Sequence, residues 1–172
     1  MSILKVNTIQ DKGGNTIISS NGTGTFTPLF AVGKIGQVVF ASTNTQLGAN
    51  NQDSDTFNFQ GTITPSATNS KILVLCTVNA MSNGGGGRMV GRIKWDTTSG
   101  GTSGTEVTVS QIANDSFDTS GMSSLTLQTL ISPNTTSQIY VKNIVAKNDS
   151  GTQWYVQRYS NYSYMTLMEV LA

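Results

Sequence analysis

Histidine is absent from all 172 residues. That removes the commonest general base, the commonest metal ligand and every Ser-His-Asp or Cys-His arrangement. Cysteine occurs once, as Cys76, so no internal disulfide can form. Cys76 lies in the apolar run Ile72-Leu73-Val74-Leu75-Cys76 and is expected to be a small buried core residue. Charged residues make up only 11% of the chain, against roughly 25% for an ordinary soluble domain. The ten Lys and Arg are scattered and the net charge is +1, so nucleic acid and anionic membrane have no electrostatic footprint here. No apolar run approaches the roughly 20 residues that span a bilayer as a helix. The opening Met1-Ser2-Ile3-Leu4-Lys5 has neither a basic n-region nor a long h-region. The expectation is a product made in the cytoplasm, without a signal peptide and without membrane insertion. Helical periodicity is nearly missing too, because Thr, Asn, Gly and Ser interrupt almost every window.

What is present is a recurring unit: a short run of β-branched and aromatic residues, then a polar Gly/Ser/Asn/Asp cluster. Hydroxyls and amides take the place of charge at the surface, while 37% of residues are hydrophobic. This pattern predicts order and an all-β fold. Residues Ile3 to Ile9 alternate polar and apolar, Asp11 to Asn15 form a turn cluster, and Thr16 to Ser19 read as a return strand. Such a hairpin is marginal alone and needs a partner to pack on. Ser20 to Thr25 read as a linker. Strands are then expected near Gly36–Ser42, Thr56–Thr64, Lys71–Ala80, Met89–Trp95, Glu106–Ile112, Ser124–Ile131, Gln138–Ala146, Gln153–Gln157 and Met165–Leu171. The fold class is therefore all-β: a small N-terminal β-hairpin or strand module, then a jelly-roll-like antiparallel β-sandwich of about eight or nine strands. The division is 1–28 for an attachment or oligomerisation module with its linker, and 29–172 for the sandwich head.

Two proline-containing bends, Thr64 to Ser70 and Ser132 to Ser137, share a layout: Pro at the end of one strand, then a polar bend. Gly84 to Gly87 and Ser99 to Gly104 are expected to be flexible turns, or adaptable loops at the sandwich tip. Gly84 to Gly87 is no phosphate loop, since no Lys-Ser/Thr follows.

The carboxylates are sparse. Asp53-Ser54-Asp55 is a close pair, better suited to capping a turn than to holding a cation. Glu106 and Glu169 stand isolated in strands. A glycosidase needs two facing carboxylates, which sequence leaves open only if Asp115 or Asp118 meets another across loops. No enzyme, catalytic residue, metal site or cofactor is expected. Aromatic residues are denser: Trp154, Tyr155, Tyr159, Tyr162 and Tyr164 lie close together with Arg158 among them. Aromatic faces stack on sugar rings and Arg supplies charged hydrogen bonds, so Trp154, Tyr155, Arg158, Tyr159 and Tyr162 are the candidate ligand-binding set. Core or subunit-interface packing is the structural alternative for the same residues.

Three segments resemble a known group. Leu4-Lys5-Val6-Asn7-Thr8-Ile9-Gln10-Asp11, followed by Gly14-Asn15 and Gly22-Thr23-Gly24, resembles the N-terminal module of tail-fibre-like structural proteins of marine and cyanobacterial phages. Ile63-Thr64-Pro65-Ser66-Ala67-Thr68-Asn69-Ser70-Lys71-Ile72-Leu73-Val74 resembles the strand–turn–strand core of their C-terminal domains, and Tyr164 to Val170 their closing strand. The resemblance implies a virion protein of a bacteriophage, a short tail fibre or spike working as a homotrimer. Leu4, Val6, Ile9, Ile17 and Ile18 are then the residues that anchor it to other virion proteins, of tail or capsid, or to its own copies. A host surface glycan or receptor is the further partner implied, with no nucleic acid. Capsid decoration without receptor binding is the alternative role, and a glycan-binding or depolymerase module the second alternative.

Overall fold

The computed structural model describes residues 8–20, 26–28, 34–50, 54–83, 88–113, 123–147 and 153–171. The expected all-β fold is what it shows. Near the start, β1 (Thr8–Gln10), β2 (Thr16–Ser20) and β3 (Phe26–Pro28) form a three-stranded antiparallel sheet in that order. The β1–β2 turn is organised by Asp11, whose Oδ1 accepts from the N–H groups of Gly13 (2.8 Å) and Asn15 (2.9 Å). Gly14 takes φ 82°, which a residue with a Cβ rarely adopts. The third strand, β3, directly follows the stretch read as a linker, whose residues 21–25 lie outside the described residues, as does the first part of the alternating run.

The remaining strands build two sheets. The larger contains β4 (Ile35–Thr43), β5 (Leu47–Asn50), β7 (Lys71–Asn83), β10 (Ser123–Ile131), β12 (Gln153–Val156) and β13 (Ser163–Val170). The smaller runs β6-β11-β8-β9, with β6 at Thr56–Ile63, β8 at Arg88–Asp96, β9 at Thr105–Ala113 and β11 at Ile139–Lys147. Every pairing is antiparallel. In the larger sheet the central order is β4-β13-β7-β10, with β12 and then β5 continuing beside the far end of β7. Set beside β6-β11-β8-β9, this places the first and last sandwich strands, β4 and β13, side by side at one end of their sheet, and each layer alternates early and late strands. That is the double Greek key of a jelly roll.

Both proline bends carry the chain from one sheet to the other: Thr64 to Ser70 joins β6 to β7, and Ser132 to Ser137 joins β10 to β11. Pro65 and Pro133 are both buried at these crossings. The core lies between the layers. Ile72, Val74, Cys76 and Val78 of β7, Leu125, Leu127 and Ile131 of β10, and Met165 and Leu167 of β13 face Phe59, Ile63, Met89, Ile93, Ile139, Val141 and Val145 of the smaller sheet. Cys76 is in this core as expected, and burial pushes its thiol up to about 12. The sheets approach closely where β8 has Gly91: a Cβ there would stand 2.4 Å from Leu125 Cδ2.

The Ser99 to Gly104 segment corrects its expectation as a flexible tip. It is pinned across the outside of the smaller sheet. Gln60 Nε2 donates to Ser99 Oγ (2.8 Å), the Gly100 N–H donates to Gln60 Oε1 (2.8 Å), and Lys94 and Lys142 donate to the Thr102 and Ser103 carbonyls. Gly84 to Gly87 lie outside the described residues.

Candidate functional site

The candidate residues sit on an interruption in one strand position. β12 and β13 both pair with the same edge of β7, Val156 opposite Ala80 and Tyr164 opposite Thr77. Gln157 to Ser163 therefore face only Val78 and Asn79 of β7, and the surplus chain loops outward. A single 3-10 turn, Arg158–Ser160, forms its tip. Gln157 (φ 52°), Tyr159 (φ 58°) and Ser160 (φ 60°) all take left-handed backbone. For residues with side chains this conformation is costly, and it persists only where the surroundings hold it.

Asn79 supplies that hold. Its carbonyl accepts from the Gln157 N–H (2.9 Å) and its own N–H donates to Ser163 Oγ (2.9 Å). Its side-chain amide donates to the Tyr162 carbonyl and accepts from Ser124 Oγ (2.7 Å). Across the base, Gln157 donates to Ser163 Oγ. Within the tip, the Arg158 carbonyl accepts from the Asn161 side chain at 2.9 Å.

The tip sorts the candidates into two groups. Arg158 places its guanidinium 4.9 Å from the ring centroids of both Tyr155 and Tyr159, a cation–π arrangement. Tyr159 is 65% exposed. Tyr162 belongs elsewhere: it stacks on Tyr164 at 6.0 Å, and Tyr164 leans on Phe40 of β4 at 5.7 Å. The Trp154 backbone pairs with Ala49 and Ser82. Of the anchoring candidates, Ile9 and Ile17 are exposed and Ile18 half-buried in the three-stranded sheet, while Leu4 and Val6 lie outside the described residues.

Sequence reading does not single out Phe40 and Val38. They are 63% and 59% exposed, on the outward side of β4. Their signal is weak because their neighbours Val39 and Ala41 are apolar too and face the core. Val38 begins an apolar row that crosses the outside of the larger sheet, and Phe40 stands beside it. Val38, Met168, Leu73 and Leu130 stand in register across four strands, and Phe40, Thr166, Leu75 and Gln128 form the next outward row.

The smaller sheet shows the opposite character. Arg92 pairs with Asp55 (2.8 Å) and Glu106 (3.1 Å), Lys94 with Asp55 (2.7 Å), and Lys142 with Asp96 (3.0 Å). Asp55 is thus an ion-pair partner of two cations rather than a turn cap, and Asp53 lies outside the described residues. Glu106 is not isolated either. Nor is Glu169, which is buried and accepts from Gln37 Nε2 (2.7 Å) and from the N–H (2.6 Å) and hydroxyl (2.7 Å) of Ser66. Burial alone would raise the Glu169 carboxyl; these hydrogen bonds outweigh it and hold the group below the ordinary glutamate range. Asp115 and Asp118 lie outside the described residues. Among the described residues no three metal-ligating groups gather, and no pocket opens.

No protein-family model matches the chain, and no curated protein matches it. Solved structures do. The structure of infectious bursal disease virus Gx strain aligns with a TM-score of 0.50 at 10% identity, over 89% of this chain and 36% of that one. The Gt strain structure gives 0.47 at 13%, over 87% and 41%, and the T=1 particles derived from the same virus 0.48 at 14%, over 89% and 40%. The chain thus spans well under half the length of the proteins it matches. At these identities the likeness concerns the fold alone.

Proposed function

We propose that this chain is a non-enzymatic structural subunit of a bacteriophage particle, a short tail fibre or spike. In this reading it is a homotrimer. Residues 1–28 attach it to another virion protein, and the jelly roll is presented outward. The observation that carries the reading is the sidedness of the sandwich: a double Greek key with an uncharged apolar row crossing the outside of one sheet and ion pairs crossing the other. Such a body is built to lie against other protein surfaces. The resemblance of residues 4–24, 63–74 and 164–170 to phage tail-fibre-like proteins supports the phage assignment. Mass spectrometry of density-purified particles tests it. The chain is expected in intact particles, with gold-labelled antibody on the tail; label on the shell moves the role to capsid decoration. Recovery only from the soluble fraction of the lysate overturns the reading.

A second role, host-glycan recognition, is favoured by the exposed Tyr159 ring and the Arg158 guanidinium at the strand interruption. Tyr159→Ala with Arg158→Ala is expected to reduce adsorption to host cells. Unchanged adsorption by the folded variant places recognition elsewhere.

A further inference from the structure

We infer that the outer face of the larger sheet is the surface on which one copy of this chain packs against another. The inference rests on the self-associating reading above, and it seats the association on the sandwich rather than on the N-terminal module.

The face is defined by strand register. Val38, Met168, Leu73 and Leu130 cross β4, β13, β7 and β10 as one outward row, and Phe40 and Leu75 stand in the next. The intervening residues, Val39, Leu167 and Val74 among them, point into the core. A solvated outer sheet face ordinarily alternates with its buried face as polar against apolar. Here the outward row from Val38 to Leu130 is apolar as well, while Thr166 and Gln128 share the next row with Phe40 and Leu75. At one end the face is bounded by the Phe40–Tyr164–Tyr162 ring series, and aromatic residues are the type enriched where interfaces bury most energy.

The size suits an interface. Four strands about 4.8 Å apart and eight residues at about 3.3 Å give a projected face of about 500 Å2. Two such faces opposed would bury about 1,000 Å2, the lower bound of a specific interface.

Charge decides the occupant. Among the strands of the larger sheet the only ionisable acids and bases of the Lys, Arg, Asp and Glu type are Lys71, at the end of β7, and Glu169, which is buried facing inward. A nucleic acid, a charged peptide or a lipid headgroup finds nothing complementary there. An uncharged face crossed by an apolar row complements another of its kind. The exposed edge strand β4 (Ile35–Thr43) also carries no charge and no proline, the usual devices that keep sheet edges apart. A surface of this kind must be covered once the chain folds, and a second copy is the partner present at that moment.

Light scattering on the full-length protein at micromolar concentration tests this. Wild type is expected at a multiple of 18.2 kDa, and Val38→Lys with Phe40→Lys at the mass of one chain. Both side chains are exposed, so the fold should survive, as circular dichroism would verify. If that variant misfolds, Leu130→Lys, exposed on the far strand of the same face, serves instead and should equally disperse the assembly. A folded variant that keeps the wild-type mass overturns the inference. If Ile9→Lys with Ile17→Lys disperses the assembly instead, self-association stands but its seat is the three-stranded sheet. A wild type that is a single chain throughout overturns both, and leaves the face to a different protein.

Discussion

The backbone N–H of Asn79 donates to the side-chain hydroxyl of Ser163 at 2.9 Å, at the point where the strand pairing beside β7 is interrupted. A side chain thus takes the place a ladder carbonyl would fill. Ser163 is buried and also accepts from Gln157, so its hydroxyl closes the base of the excursion. Ser163→Ala removes one acceptor shared by two donors. It should cost about 1–3 kcal/mol, the penalty for leaving buried donors unpaired. Urea unfolding reads the loss. Asn79→Ala should cost a similar amount, and the double variant less than the sum, because both residues hold one network.

Glu169 makes the sandwich acid-sensitive. Its carboxyl is held below the unfolded value, so its stabilising share is fully present above about pH 4.3 and is lost as pH falls through the folded value. The Glu169 share of stability should therefore drop as pH falls below about 4.3. Glu169→Gln keeps an acceptor but no charge for Gln37 and Ser66 to face. It should be less stable than wild type near neutrality and should shed part of the acid-side slope. Midpoints from urea titrations between pH 3 and pH 7 check both.

The strands themselves are largely written in local sequence. Ile72 to Val78 is a run of apolar and β-branched residues with turn residues before it, and β7 is there. Which side of that run faces the core is not local: Leu73 and Leu75 are as apolar as Val74 and Cys76, yet only the latter pair is buried. The short strand β5 escapes notice because Leu47 is its only large apolar residue. Most of the strand order is invisible because, outside the β8–β9 hairpin and the three-stranded sheet, the partners are remote in sequence. The pinning of Ser99 to Gly104 is hidden for the same reason, depending on Gln60, Lys94 and Lys142. At the candidate site the aromatic cluster is legible but its division is not. Nothing in Gln157, Tyr159 or Ser160 announces left-handed backbone, which is set by Asn79 from across the sheet.

Lys142 is a buried cation, 0% exposed, standing directly opposite Lys94. Like charges facing across a ladder repel. Here each is matched separately, Lys142 by Asp96 and Lys94 by Asp55. Burial would raise the Asp96 carboxyl, but hydrogen bonds from Lys142, the Thr98 N–H and Ser103 hold it below the ordinary range. Asp96→Ala strands the Lys142 ammonium without its anion and should cost about 3–5 kcal/mol. Lys142→Met with Asp96→Ala should recover much of that loss. Thermal unfolding of the three proteins separates the cases. Equal destabilisation of the single and double variants would mean that Asp96 acts through Thr98 and Ser103 rather than through Lys142.

Gly91 sets the spacing of the two sheets. It pairs with Val145 and Ser110 inside the smaller sheet, and the Leu125 side chain of β10 occupies the room a Cβ would need, 2.4 Å from its place. Leu127 stands 3.2 Å from the same point. Alanine would ordinarily stabilise a strand position relative to glycine by reducing freedom in the unfolded chain. Steric overlap with two core leucines reverses the sign. Gly91→Ala should destabilise by about 1–3 kcal/mol, the usual range for overpacking. Adding Leu125→Val to Gly91→Ala should restore part of the loss, since it removes the obstructing methyl. Urea midpoints for the two single variants and the double variant test this. A Gly91→Ala protein as stable as wild type would mean that the sheets can part at no cost, and that their spacing is not set here.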